Sequence, residues 1–223
     1  LYVVDLNTGQ ETALTTDGGA GGIINGTFDW VYEEEFRVRD GWRWSPDGKH
    51  IAFFKLDESR TREFALTDHT TRYPEYKQFR YPKAGEQNSE IQVGVVDVSD
   101  IDTTQAGQPQ ATQYFDTNTW KAGGAQHEYL PRMDWTPKIE GRHRVWMFRL
   151  NRNQNRLDLL YGDPATGTVR TVLRERNDTY IDVEDQTLSF MDDGEHFVFL
   201  SERSGYNHAY LYRTNGTELG PIT

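Results

Sequence analysis

Polar and apolar residues follow one order three times along the chain. "WRWSPDGKHIAFFKLDES" (42–59), "MDWTPKIEGRHRVWMFRLNRN" (133–153) and "LSFMDDGEHFVFLSERSGYNH" (188–208) each pass from an aromatic residue through a polar turn into an alternating strand with a polar end. Alternation of this kind is the mark of a β-strand with one face turned to a core. In the first copy, Ser45-Pro46-Asp47-Gly48 suits a type I turn, with Pro46 fixing φ at the second position and Gly48 relieving strain at the fourth. Such a turn joins two antiparallel strands. Each copy is followed by a second hairpin: "EIQVGVVDVSD" leading to "ATQYFDT", then "RLDLLYGDPATGTVRTVLRE", then "HAYLYRTNGTELGPIT". Residues 1–15, "LYVVDLNTGQETALT", read as that second hairpin without its first half.

Four antiparallel strands per repeat, with a period near fifty residues between the second and third copies, predict an all-β chain. The architecture expected is a partial β-propeller whose four-stranded blades bury their faces against one another. A two-sheet sandwich would explain the short strands but not the recurring order. The boundaries read are a half blade over 1–17, an insertion over 18–41, a blade over 42–120 carrying an arm at 61–90, a blade over 130–176 and a blade over 186–223. Three and a half blades do not close a ring, and closure is how such folds protect their edges, so the chain reads as a fragment of one propeller domain.

The two segments that break the repeat, 18–41 and 61–90, are where function is expected, since long insertions on a repeat scaffold carry sites or contacts. The first contains "DWVYEEEF", in which Glu33, Glu34 and Glu35 stand side by side. On a strand, neighbouring side chains point to opposite faces; on a helical turn they lie about 100° apart and can converge from one rim. Asp29 can cap such a turn, and Trp30 and Phe36 can anchor it. Two converging carboxylates suit a primary ammonium, which brings three donors and one charge. Two other readings stay open at this point: a solvated acidic turn paired with Arg37 and Arg39, and, less well matched, a calcium site without the regular spacing of an oxygen-ligand loop.

Charge and composition narrow the partners. The 223 residues carry a net charge of −11 with Lys and Arg scattered, which argues against nucleic acid and for cationic ligands. No run approaches membrane-spanning length. The absence of cysteine removes disulfides and cysteine-bound zinc from consideration.

"NGTFDWVYEEEF", "WRWSPDGKHIAFFKLDES", "YPEYKQFRYPKAG" and "SERSGYNHAYLY" together resemble the propeller domain of the dipeptidyl peptidase IV group, in the prolyl oligopeptidase family of serine peptidases, and the cysteine-free sequence is closer to bacterial members. The resemblance implies an eight-bladed propeller capping an α/β-hydrolase domain, and an exopeptidase that releases X-Pro dipeptides. It implies that Glu34 and Glu35 bind the free amino terminus of the peptide, with Glu33 a neighbour and Tyr180 at the border of the pocket. It also implies a homodimer in which the 61–90 arm packs on a second subunit, with Tyr73, Tyr76, Phe79 and Tyr81 as its aromatic face; a hairpin folded back on its own blade is the alternative. A periplasmic or secreted location follows from the bacterial likeness, and no cofactor or metal is expected.

No G-x-S-x-G nucleophile elbow occurs, and the six histidines at 50, 69, 127, 143, 196 and 208 are scattered, so this portion is expected not to hydrolyse peptides by itself. The family's carbonyl-binding arginine is expected upstream of Leu1. Two rivals stand beside the peptidase reading. One is a non-catalytic propeller scaffold for protein interactions. The other is a glycoside-active propeller, which adjacent carboxylates on one turn serve poorly because the two groups must flank a sugar.

Overall fold

The computed structural model describes residues 1–19, 21–99, 101, 111–119 and 129–223; the 102–110 stretch of the segment 42–120, its last residue, and His127 lie outside the described residues. β1 (Tyr2–Val4) pairs with β2 (Glu11–Ala13). Next come β3 (Ile23–Asn25), the single-turn helix α1 (Trp30–Glu35), β4 (Trp42–Trp44) and β5 (His50–Asp57). A separate hairpin of β6 (Glu63–Asp68) and β7 (Glu75–Arg80) precedes β8 (Glu90–Asp97) and β9 (Thr112–Tyr114). Two further sheets each run antiparallel in chain order. One is β10 (Met133–Trp135), β11 (Val145–Leu150), β12 (Arg156–Gly162) and β13 (Val169–Arg176). The other is β14 (Leu188–Phe190), β15 (His196–Ser201), β16 (His208–Arg213) and β17 (Glu218–Pro221). These are the repeated four-stranded units of a β-propeller.

The turn at Ser45–Gly48 forms as its residues require. The Gly48 amide donates to the Ser45 carbonyl at 2.9 Å, Gly48 adopts φ +70°, and the Ser45 hydroxyl accepts from the amides of Lys49 and His50.

The sheet built on β5 differs from a plain blade in its first strand. β3 pairs with residues 55–57 of β5 and β4 with residues 51–53, so both occupy one strand position, end to end. The sheet thus draws a strand from the 18–41 segment. Between the halves, residues 27–40 leave the sheet and return. The Gly26 amide donates to the Phe54 carbonyl at 2.9 Å, and the Phe54 amide donates to the Gly41 carbonyl at 2.8 Å. Gly41 must be glycine: a Cβ there would lie 2.7 Å from the Gly26 carbonyl carbon.

β5 is apolar on both faces because both are covered. Ala52, Phe54 and Leu56 join the main core that continues through β8, β11, β12 and β15, while Ile51 and Phe53 pack with Leu14 and Val96 beneath β1 and β2. Strand-period alternation separates those two sets. The next inter-sheet seam is as close, since a Cβ on Gly162 would meet the Phe115 ring at 2.5 Å.

A buried charge fixes the sheet of β10–β13. Asp158 is fully buried and accepts from Arg149 at 2.5 Å and Arg174 at 2.7 Å, and Arg149 also donates to the Thr117 carbonyl of the preceding unit at 3.0 Å. Burial opposes ionisation of Asp158, but the two guanidinium groups outweigh it and hold the carboxyl below its ordinary pKa. Asp158→Asn is expected to cost about 2 kcal/mol at neutral pH, because it takes the counter-charge from the largely buried Arg149, while Arg174, whose side chain is 44% exposed, can turn to water. A depressed folded-state pKa gives stability that is present above the unfolded value and lost as pH falls through the folded one. The difference in unfolding midpoint between wild type and Asp158→Asn, followed by calorimetry, is therefore widest near neutrality and narrows below about pH 3.9.

Candidate amine-binding site

The excursion at 27–40 carries the acidic triplet, and its own sequence folds it into a turn. Asp29 caps α1: one carboxylate oxygen accepts from the Tyr32 amide at 3.1 Å and the other from the Ser89 hydroxyl at 2.6 Å. Asp29 is 7% exposed, and burial raises its pKa, with the bonds from Ser89 and Tyr32 acting the other way. Phe28, Tyr32 and Phe36 follow one another at i, i+4 and i+8, which puts them on one helical face. Their rings form a column, Phe28 to Tyr32 at 5.3 Å and Tyr32 to Phe36 at 5.3 Å. Tyr32 lies deepest, 1% exposed, with its hydroxyl accepting from the Leu130 amide at 3.1 Å. The sequence points to Trp30 and Phe36 as anchors; Tyr32 is the one it passes over, although its spacing from Phe28 and Phe36 carries the signal.

The turn ends abruptly. Arg37 takes the left-handed conformation at φ +55°, and the Val38 amide donates to the Tyr32 carbonyl at 3.2 Å. A non-glycine residue holds this conformation at a cost of about 1 kcal/mol.

With the aromatic face buried, Glu33, Glu34 and Glu35 are all exposed. Among the described residues none of the three has an ion-pair partner, so the pairing with Arg37 and Arg39 is not formed. Glu35 lines a polar cleft of about 150 Å³ together with Arg37, Arg132, Gln154, Asp182 and Glu184. Glu33 and Glu34 do not line it. The Arg132 guanidinium is held in place, donating to Asp185 at 2.8 Å and to the Pro131 carbonyl at 2.8 Å. Residues 181–184 form the far wall of this cleft, and no local feature of the sequence marks them as neighbours of Glu35.

Tyr180 is 61% exposed and lies in an adjoining cavity of about 110 Å³, beside Glu175, Asn177, Glu202 and Asn207, not in the cleft of Glu35. The two cavities share Ile181, Asp182 and Glu184 as a partition. Glu175 is buried there, accepts from the Ser201 hydroxyl and has its pKa raised by burial.

The four aromatic residues of the arm divide into two groups. β6 and β7 pair only with each other among the described residues. Tyr73 is 76% exposed and Tyr76 69%, and Phe79 is exposed to a lesser degree. Tyr81 instead turns back to the turn and meets the Trp30 ring edge-on at 4.4 Å.

Repeated four-stranded antiparallel sheets, with an acidic helical turn looped out of the first-strand position of one of them, define a propeller. The family described as "Dipeptidyl peptidase IV (DPP IV) N-terminal region" matches residues 1–223, and the chain belongs to it. The crystal structure of Porphyromonas gingivalis dipeptidyl peptidase 4 superposes with a TM-score of 0.83 at 31% identity, covering 100% of this chain and 29% of that one. Among curated relatives, inactive dipeptidyl peptidase 10 of Rattus norvegicus is 29% identical over 186 residues, 82% of this chain and 22% of that protein. Dipeptidyl aminopeptidase B of Saccharomyces cerevisiae is 35% identical over 106 residues, 45% of this chain and 13% of the yeast protein. The chain thus spans under a third of each of these proteins.

Asp29→Ala is expected to free the Tyr32 amide and cost about 1–2 kcal/mol, the usual loss at a helix cap. Hydrogen exchange at the Tyr32 amide reads this locally; Asp29→Asn keeps an acceptor and most of the protection.

Proposed function

We propose that this chain is the substrate-anchoring part of a dipeptidyl peptidase IV-like serine exopeptidase, in which Glu34 and Glu35 hold the free amino terminus of a peptide with proline at the second position. The observation that carries this reading is the exposed, unpaired state of the glutamates on a turn whose other face is locked into the core. Two exposed carboxylates without an ion-pair partner have acceptors free for a primary ammonium, which meets both through charge-assisted hydrogen bonds. The cleft beside Glu35 gives the first residue of the peptide a place to lie, with Arg132 already neutralised by Asp185 and so not competing for the carboxylate.

The catalytic serine, in this reading, belongs to a C-terminal α/β-hydrolase domain outside these residues. A fixed distance between the ammonium site and that serine sets the cut after the second residue and rejects blocked amino termini. The arm extends the proposal to a homodimer, with Tyr73 and Tyr76 as the exposed aromatic contacts. A second reading is a propeller that binds partners without catalysis; the rat relative, named inactive, favours it. Turnover of an X-Pro substrate by the full-length protein separates the two.

In the full-length enzyme, Glu34→Gln and Glu35→Gln are each expected to cost about 2–5 kcal/mol in kcat/KM toward free-amine X-Pro substrates, as for one partner of a desolvated charge pair. Unchanged turnover would reject the assignment. The substrate amine is charged below its pKa of about 7.7–8.0, so KM rises as pH passes above about 8. That rise should be blunted in Glu35→Gln, and N-acetylated substrates should be refused throughout.

A further inference from the structure

The glutamate turn is held at both ends by the returning limb of the arm. At its start, the capping carboxylate of Asp29 takes the Ser89 hydroxyl at 2.6 Å, and Trp30 takes the edge of Tyr81 at 4.4 Å. At its end the hold is indirect: Asn88 donates to the Tyr129 hydroxyl at 2.7 Å, and the Tyr129 ring packs on Phe36 at 5.2 Å. The limb is itself tied down where it leaves the hairpin, because Arg80 donates to the carbonyls of Ser59 at 3.2 Å and Thr61 at 2.7 Å on the outgoing limb. Ser89 lies sixty positions from Asp29 in sequence, so this contact does nothing to make the turn locally helical. What it does is set where the turn stands relative to the sheet.

We propose that Ser89 and Tyr81 are positioning residues for the amine site, fixing the direction in which Glu34 and Glu35 point by clamping Asp29 and Trp30. The proposal rests on the amine-anchoring reading above. Its physical basis is leverage. The two carboxylates project from a single helical turn into solvent, with no side-chain partner of their own to aim them among the described residues. Their aim is therefore that of the turn as a whole, and a small rotation about the Tyr32 column displaces both by the order of an ångström, enough to lose the alignment that charge-assisted hydrogen bonds require. The aromatic column resists sinking and lifting of the turn; the Ser89 and Tyr81 contacts, lying off that column, resist rotation about it.

The test uses the full-length enzyme and a free-amine X-Pro substrate. Ser89→Ala is expected to raise KM about tenfold with kcat within about twofold, the size of one lost hydrogen bond to a charged group. Ser89→Thr, which keeps the hydroxyl, is expected to restore KM. Tyr81→Leu, which keeps apolar volume but removes the ring edge, is expected to raise KM in the same direction. In a Glu35→Gln background Ser89→Ala is expected to add little, since the two changes spoil one interaction. A lowered melting temperature with KM unchanged in Ser89→Ala and in Tyr81→Leu would overturn the proposal, showing plain structural support. Should Glu35→Gln raise KM while neither Ser89→Ala nor Tyr81→Leu does, the positioning role fails and the amine site stands. Should Glu35→Gln leave KM unchanged, the amine reading fails and the positioning role with it.

Discussion

The site depends on a meeting of two glycines over Phe54. A propeller blade needs an unbroken first strand to pair with β5, yet the 27–40 excursion leaves from the middle of that strand. The conflict is resolved by bringing Gly26 and Gly41 together so closely that the ladder passes across the gap, with Phe54 bonded to one on each side. The excursion then begins and ends at one point of a strand whose two faces are both buried. Everything the acidic turn does is referred to that point.

Charge is treated in two opposite ways in this molecule. Asp158 is sunk into the protein and satisfied by two guanidinium groups of its own sheet, one of which, Arg149, also donates to the Thr117 carbonyl of the preceding unit. Asp29 is buried too, and its oxygens are used on an amide and a hydroxyl. Glu33, Glu34 and Glu35 face water and form no ion pair among the described residues, even though Arg37 and Arg39 lie within a few positions in sequence and Arg37 shares the cleft of Glu35. The left-handed backbone at Arg37 turns the chain away at that position. A surface that leaves three adjacent carboxylates unneutralised costs stability unless a partner arrives, and that is the physical case for a cationic ligand.

Much of the fold was legible because it is written in local pattern. The aromatic-turn-strand order, the Ser45–Gly48 turn and the Asp29 cap all act within a few residues, and each forms as its chemistry requires. The split first strand was not legible: "IIN" is too short to show a period, and its register is set by β5 and not by its own residues. The far wall of the cleft, Asp182 and Glu184, was invisible for a different reason, since proximity across some 150 residues leaves no local trace. Tyr81 shows the limit of composition. Four aromatic residues in one segment look alike as letters, but the pairing of β6 with β7 sends Tyr73 and Tyr76 to the far end of the hairpin and leaves Tyr81 at its base beside Trp30.

Because β3 and β4 resume one ladder in continuous register, the stretch between Gly26 and Gly41 behaves as an interchangeable cassette. Its solvent-facing residues are free of the blade's geometry so long as the two glycines still meet and Phe28, Tyr32 and Phe36 keep their places in the core. A lineage can therefore discard its grip on one kind of ligand, or acquire another, by rewriting this short stretch while the surrounding propeller is inherited intact.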